Sequence, residues 1–326
     1  MLWRLVLLLA SLVVYSETLK QAANGTFTVE TNDGTVRGQV LTSYWGRSYY
    51  AFQSIPYAQP PVGDLRFKSP RPVQKWKGVR DALAEGPYCP QAQYINTSSS
   101  ASEDCLYINV FIPKVPEHLS KKPLTVMAWI HGGGFQNGSG IRDSRGPDNF
   151  MNLTSILVTF NYRLGALGFL SLEHPDVTTN AGMKDQVAAL RWIQRNIASF
   201  GGNPRDVTLF GQSAGGVSVE LHLLSPLSNG LFHRTITESG SSLVYRTDYN
   251  GTRGAYRLAE VLGHNATSRD DLVRFLRSAR AEDIVAAQTL AATEEDGRTV
   301  ALKTQPTVEP RTRKDARSSC PTPRRT

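Results

Sequence analysis

The stretch "DVTLFGQSAGGVSVELHLL" (206–224) limits the fold more than any other part of this 326-residue chain. A short β-branched, apolar run reads as a buried strand, and a longer apolar segment after "GQSAGG" reads as a helix. Between them Ser213 stands with Gly211 and Gly215 on either side. A strand that must turn into a helix within a few residues holds its turn residue in a strained conformation. Larger side chains at the two glycines would strike the neighbouring backbone. The serine hydroxyl is then lifted above the sheet edge, beside a helix N-terminus that favours developing negative charge. G-x-S-x-G alone arises easily by chance, so its flanks carry the argument.

A second glycine cluster, "HGGGF" (131–135), directly follows the apolar run "LTVMAWI" (124–130). Consecutive glycines after a central strand leave backbone N–H groups unobstructed, as the charged oxygen of a tetrahedral intermediate requires. The amides of Gly133, Gly134 and Ala214 are the expected oxyanion donors. His131 is read as ending the strand and shaping the loop, not as a base.

Elsewhere strands and helices alternate from about residue 25 to 290, which favours an α/β fold: a mixed or parallel sheet flanked by helices. "SILVTFNY" (155–162) is a further buried strand. In "NAGMKDQVAALRWIQRNIASFGG" the residues Met183, Val187, Leu190, Ile193 and Ile197 recur at helical spacing, and Gly201-Gly202 supplies the stop. "TSRDDLVRFLRSARAEDIVAAQ" (267–288) reads as two short helices. Length allows one domain.

The first residues carry Arg4 and then ten mostly aliphatic residues, Leu5 to Val14, followed at once by polar ones. That is the pattern of a secretory signal peptide (1–16), and it is short for a membrane span. Secretion to the extracellular space is expected, with no membrane span. N-x-[ST] acceptors at Asn24, Asn96, Asn152, Asn250 and Asn265 fit that route. A further acceptor, Asn137, follows the glycine loop and is set aside. In an oxidising compartment Cys89 and Cys105 can staple one surface loop, stabilising by ~3 kcal/mol in the chain-entropy model; Cys320 is left odd.

The formal charge of +8 suggests nucleic acid, but "RTRKDARSSCPTPRRT" (311–326) holds six basic residues and one acid. An evenly charged body with a basic tail is not a nucleic-acid-binding domain. The tail lacks apolar periodicity and reads as disordered. No cofactor or metal is expected.

Together "FGQSAGG", "HGGGF", "SEDCLYINVFIP", "FNYRLGALGFL" and "DQVAALRWIQRNIASFGGNP" resemble the type-B carboxylesterase and cholinesterase family of α/β-hydrolases, from about Asn32 to Pro306. The resemblance implies hydrolysis of a small-molecule carboxylic ester through an acyl-enzyme, with a Ser–Glu–His triad. It implies the Cys89–Cys105 disulfide, and ion pairs of Arg66 with Glu103 and Arg163 with Asp185. Family members that act on choline esters have a glutamate where this chain has Gln212 and a tryptophan where it has Ile95, so a general carboxylic ester is the expected substrate. Adhesion proteins of the same fold typically lack the serine; a non-catalytic binding module is the alternative.

The family's acid and histidine would follow Ser213 in chain order, past Thr326. His222, His233 and His264 are not expected to replace that histidine. Residues 17–310 therefore read as the N-terminal portion of the domain, with the C-terminal part missing, and this chain as written is expected to be inactive. Read in another frame with freely chosen codons, "RSSCPTPRRT" comes closer to the family's continuation. The expectation is a frameshift, a mis-spliced exon or an incomplete gene model. An uncovered sheet edge would then invite aggregation.

Overall fold

A computed structural model describes residues 19–21, 25–92, 101–114, 122–142, 146–244, 251–291, 293–295, 298–300 and 304–309. The signal segment, Asn24, Ile95, Asn96, Asn250, Cys320 and the basic tail lie outside them.

In chain order the strands are β1 (Lys20–Gln21), β2 (Thr26–Glu30), β3 (Thr35–Thr42), β4 (Ser48–Pro56), β5 (Val79–Asp81), β6 (Tyr107–Pro113), β7 (Leu124–Ile130), β8 (Ser155–Phe160), β9 (Gly202–Gln212) and β10 (Arg234–Glu238). A separate pair, β11 (Thr293–Glu295) and β12 (Arg298–Val300), follows. The helices are α1 (Gly165–Phe169), α2 (Ala181–Asn196), α3 (Ala214–Leu224), α4 (Gly251–Val261), α5 (Arg269–Ser278) and α6 (Ala281–Gln288).

The sheet order is β1-β2-β3-β4-β6-β8-β7-β9-β10, with β5 joined to β3. Its core is parallel: β8 pairs β7, β7 pairs β9, and β9 pairs β10. Strands β1 to β4 and β6 form an antiparallel wing that joins β8 through β6, and β5 pairs β3 in parallel. Strand β4 shifts register between Phe52 and Ile55. There Ser54 takes a left-handed φ of 61°, and its N–H is received by the Asn109 side chain at 2.9 Å.

Side-chain alternation along β7 explains the layers. Leu124, Val126, Ala128 and Ile130 face the main core with Leu190, Trp192 and Ile193 of α2 and Val217 of α3. Trp129 faces the other way, into a smaller cluster with Tyr49, Phe111, Met151 and Phe210. A third cluster joins α1, α4, α5 and α6. The two short helices expected near the end are α5 and α6; α5 starts on a Ser268 cap that accepts from the Asp271 amide.

Both ion pairs implied by the resemblance are formed. Arg163 Nε and Nη2 reach the two Asp185 oxygens at 2.8 and 2.7 Å, and the Arg163 backbone N–H adds a third bond. Burial pushes the Asp185 carboxyl up, and the Arg163 guanidinium opposes that shift. Arg66 binds Glu103 and also donates to the Leu276 and Arg277 carbonyls at the end of α5. The second pair thereby ties the third cluster to the disulfide region.

Strand β10 has mostly exposed side chains and, among the described strands, pairs with β9 alone. Ile236 on it, and Leu223, Leu224 and Leu243 near it in sequence, are exposed.

Candidate functional site

Ser213 connects β9 to α3 with φ 56° and ψ −123°, a left-side backbone that a non-glycine residue holds only under strain. The surrounding backbone over-determines that conformation. The Ser213 N–H donates to the Glu238 carbonyl at 2.8 Å, and its own carbonyl accepts from Val217 at 2.9 Å. A Cβ on Gly215 would stand 2.1 Å from the Ile130 carbonyl oxygen, and one on Gly211 would stand 2.6 Å from the Gly215 backbone. The elbow expected from the sequence is therefore packed tightly enough to require both glycines.

The glycine loop lies against it. A Cβ on Gly132 would meet the Ser213 Cβ at 3.2 Å. Gly133 and Gly134 take φ of 109° and 61°, so the loop depends on glycine there. Gln136 and Asn137 donate to the Gly133 carbonyl at 3.0 Å, curling the loop back on itself. Phe135 is buried against Phe169, and its carbonyl receives the Gly165 amide at 2.7 Å. Among the described residues, no backbone carbonyl takes the amides of Gly133, Gly134 or Ala214. Ser213 is half-buried, and Ala214 opens α3 beside it. The arrangement places a hydroxyl at a helix N-terminus, with a bare backbone loop alongside.

His131 is buried, stacks on Tyr162 at 4.3 Å between ring centres, and sets its Nδ1 2.8 Å from the Gly132 carbonyl. The Tyr162 hydroxyl donates to the His131 carbonyl at 2.9 Å. It shapes the loop, as its position at the end of β7 suggests.

None of the histidines available after Ser213 in the described residues turns to it. His222 spends its two nitrogens on Ser228 and Gln186, both at 2.8 Å, and burial lowers its pKa to about 4. His233 accepts the Val207 amide. His264 reaches Asp271 at 3.1 Å and stacks on Phe275. Among the described residues no group of three or more His, Cys, Asp or Glu side chains gathers as a metal site, and no helix is long and apolar enough to cross a membrane.

The Cys89–Cys105 disulfide is formed, with Cα atoms 5.1 Å apart. It does more than close a loop. Gln91, two residues on and fully buried, donates to the Cys89 and Gly138 carbonyls and accepts from the Gly138 amide. The disulfide segment thus holds the far end of the glycine loop. Glu220 accepts the Ser242 amide, which with the Ser241 hydroxyl keeps its carboxyl below the usual range. That contact holds the segment after β10, where Gly240 packs on the Ser213 carbonyl oxygen. Sequence reasoning missed Gln91, Glu220 and Gly240, because each acts through a distant backbone group and carries no local motif.

Of the expected glycosylation acceptors that are described, Asn152 and Asn265 are exposed. Asn137 is exposed too, but a Cβ on Gly133 would stand 2.3 Å from its side-chain oxygen.

Residues 25–318 match the model of the carboxylesterase family. The chain is 48% identical over 217 residues to a juvenile hormone esterase of Tribolium castaneum, covering 66% of this chain and 36% of that protein. It is 43% identical over 267 residues to esterase E4 of Myzus persicae, covering 81% and 48% respectively. Among solved structures, juvenile hormone esterase from Manduca sexta with OTFP covalently attached superposes with a TM-score of 0.78 at 35% identity, over 88% of this chain and 54% of that one. The chain spans about half or less of the length of the curated relatives it matches. The shared α/β-hydrolase fold and the family match lead to one conclusion: this chain belongs to the carboxylesterase family.

Proposed function

We propose that Ser213 is the nucleophile of a secreted carboxylic ester hydrolase. Its Oγ attacks the ester carbonyl, and the amides of Gly133, Gly134 and Ala214 receive the charge on the former carbonyl oxygen. Collapse expels the alcohol and leaves an acyl-serine, which water then cleaves. The observation that supports this reading is the strained backbone of Ser213, with φ 56°, held beside the bare glycine loop. A serine hydroxyl also needs a base oriented by an acid. We assign those two roles to residues outside the described ones, since His222, His233 and His264 are engaged elsewhere.

Gln212 before the nucleophile supports a general carboxylic ester rather than a choline ester. Secretion, and modification at Asn24, Asn96, Asn152, Asn250 and Asn265, belong to the same proposal. The disulfide supports it, because such bridges persist in oxidising compartments.

A second reading, a non-catalytic binding module of the same fold, is favoured by the engagement of those three histidines. Fluorophosphonate labelling separates the two. An activated serine labels rapidly and the label is lost in Ser213→Ala. A rate no faster than that of free serine, for a chain that is folded and extends through its acid and histidine, sinks the hydrolase reading.

A further inference from the structure

Lys184, Ala188, Arg191 and Arg195 recur four, three and four residues apart on α2, and so share one face of it. With the Ser69–Pro72 segment and Leu227 opposite, that face borders a cleft of about 340 Å³. The volume lies at the lower end of the ~300–1,000 Å³ common for small-molecule sites. None of its lining residues belongs to the Ser213 elbow or the glycine loop.

The lining is two-natured. Val187, Ala188 and Leu227 give the cleft its apolar lining, and Leu227 is 46% exposed. Four cations stand around that surface. Lys184 is bound to Glu309 at 3.0 Å, and Arg195 lies 3.8 Å from Asp33. Among the described residues no acid pairs with Arg71 or Arg191. Past Val187 and Leu227 the cleft adjoins a second cavity of about 160 Å³, bordered by Met183 and Leu221.

We propose that this cleft binds an amphiphilic monoanion, a long-chain carboxylate. Its headgroup lies between the Arg71 and Arg191 guanidinium groups, whose planar donors suit carboxylate oxygens. Its hydrocarbon chain runs past Ala188 and Leu227 toward Met183 and Leu221, covering the apolar surface that these half-buried and exposed side chains leave in water. A neutral amphiphile of the same length lacks the charge to engage the arginines, and an inorganic anion lacks the chain.

Calorimetric titration of the full chain with dodecanoate, kept below its micellar concentration, tests the assignment. One saturable site is expected, weakened at least about tenfold in Arg71→Ala and in Arg191→Ala and by a similar factor for dodecanol. Leu227→Asp, a second exposed change that leaves both arginines in place, is expected to weaken it as well. Ser213→Ala is expected to bind like the parent chain, which separates this cleft from the ester site. No saturable heat, parental affinity in either arginine variant, equally tight dodecanol, or loss of binding in Ser213→Ala overturns the proposal.

Discussion

The Gln91 side chain and the Gly138 backbone form a closed pair: the Gln91 amide donates to the Gly138 carbonyl at 2.9 Å, and its oxygen accepts the Gly138 N–H at 2.8 Å. Gly138 follows the glycine loop at φ 109°, where a Cβ would strike the His131 ring. Gln91→Leu leaves both backbone groups without that partner. The expected cost is about 1–3 kcal/mol, the scale of a buried polar group left unpaired. Urea denaturation measures it, and faster hydrogen exchange at the Gly138 amide locates it. Unchanged exchange there means that the loop does not depend on the disulfide segment.

This linkage shows where sequence reading stops. The elbow around Ser213, the strands at 124–130 and 155–160 and the long helix α2 were legible, because each is specified by residues adjacent in sequence. Apolar period, β-branching and glycine placement act locally. The antiparallel wing was only legible as a mixed sheet, since which strands pair depends on contacts between distant segments. Helix α4 (251–261) was not read from the sequence. Gln91 was illegible for the same reason as Glu220: a side chain that holds a remote amide or carbonyl leaves no periodic trace. The cleft beside α2 was hidden by the opposite fault. The cations at 184, 191 and 195 have the spacing of an ordinary solvated face opposite the apolar stripe of an amphipathic helix.

Two arginine–aspartate pairs should differ widely in worth. Asp185 is fully buried and its partner Arg163 nearly so, whereas Arg37 and Asp81 are 40% and 55% exposed. Removing one partner of a buried pair leaves a charge without compensation, so Asp185→Ala is expected to destabilise by about 3–5 kcal/mol. Asp81→Ala removes a contact already shared with water and is expected to cost under about 1 kcal/mol. Chemical denaturation of both variants checks the contrast. Equal losses contradict the burial argument.

His222 gives the fold a pH dependence whose direction follows from its burial. Its pKa falls from 6.5 to about 4 in the folded chain, chiefly because burial disfavours the charged ring. Its neighbours at hydrogen-bond distance, Gln186 and Ser228, are uncharged. Above pH 6.5 the ring is neutral in both states and its contribution is fully present. As pH falls toward 4 the unfolded chain takes up a proton that the folded chain refuses, and stability drops by up to about 3 kcal/mol. Below the folded pKa the slope ends. His222→Gln keeps a donor and an acceptor but does not titrate. The stability difference between parent and variant should shift against the parent between pH 7.5 and 4, and a difference flat with pH overturns this account.

Strand β10 is expected to make the described chain self-associate. Its sequence, Arg-Thr-Ile-Thr-Glu, is rich in residues that suit a strand, and on one side it meets only β9. The Glu238 carbonyl at its end accepts the Ser213 amide that follows β9. Backbone groups alternate sides along a strand, so Thr235 and Thr237 turn their N–H and C=O toward the open edge. An exposed edge carrying apolar side chains is a template for another chain. Ile236→Lys places a charge on that edge without removing a buried contact, since Ile236 is 46% exposed. Light scattering against concentration should show association in the parent chain and less in Ile236→Lys, with urea stability within about 0.5 kcal/mol. If both scatter alike, the edge is already covered by residues outside the described ones, and the exposed leucines at 223, 224 and 243 become the next surface to change.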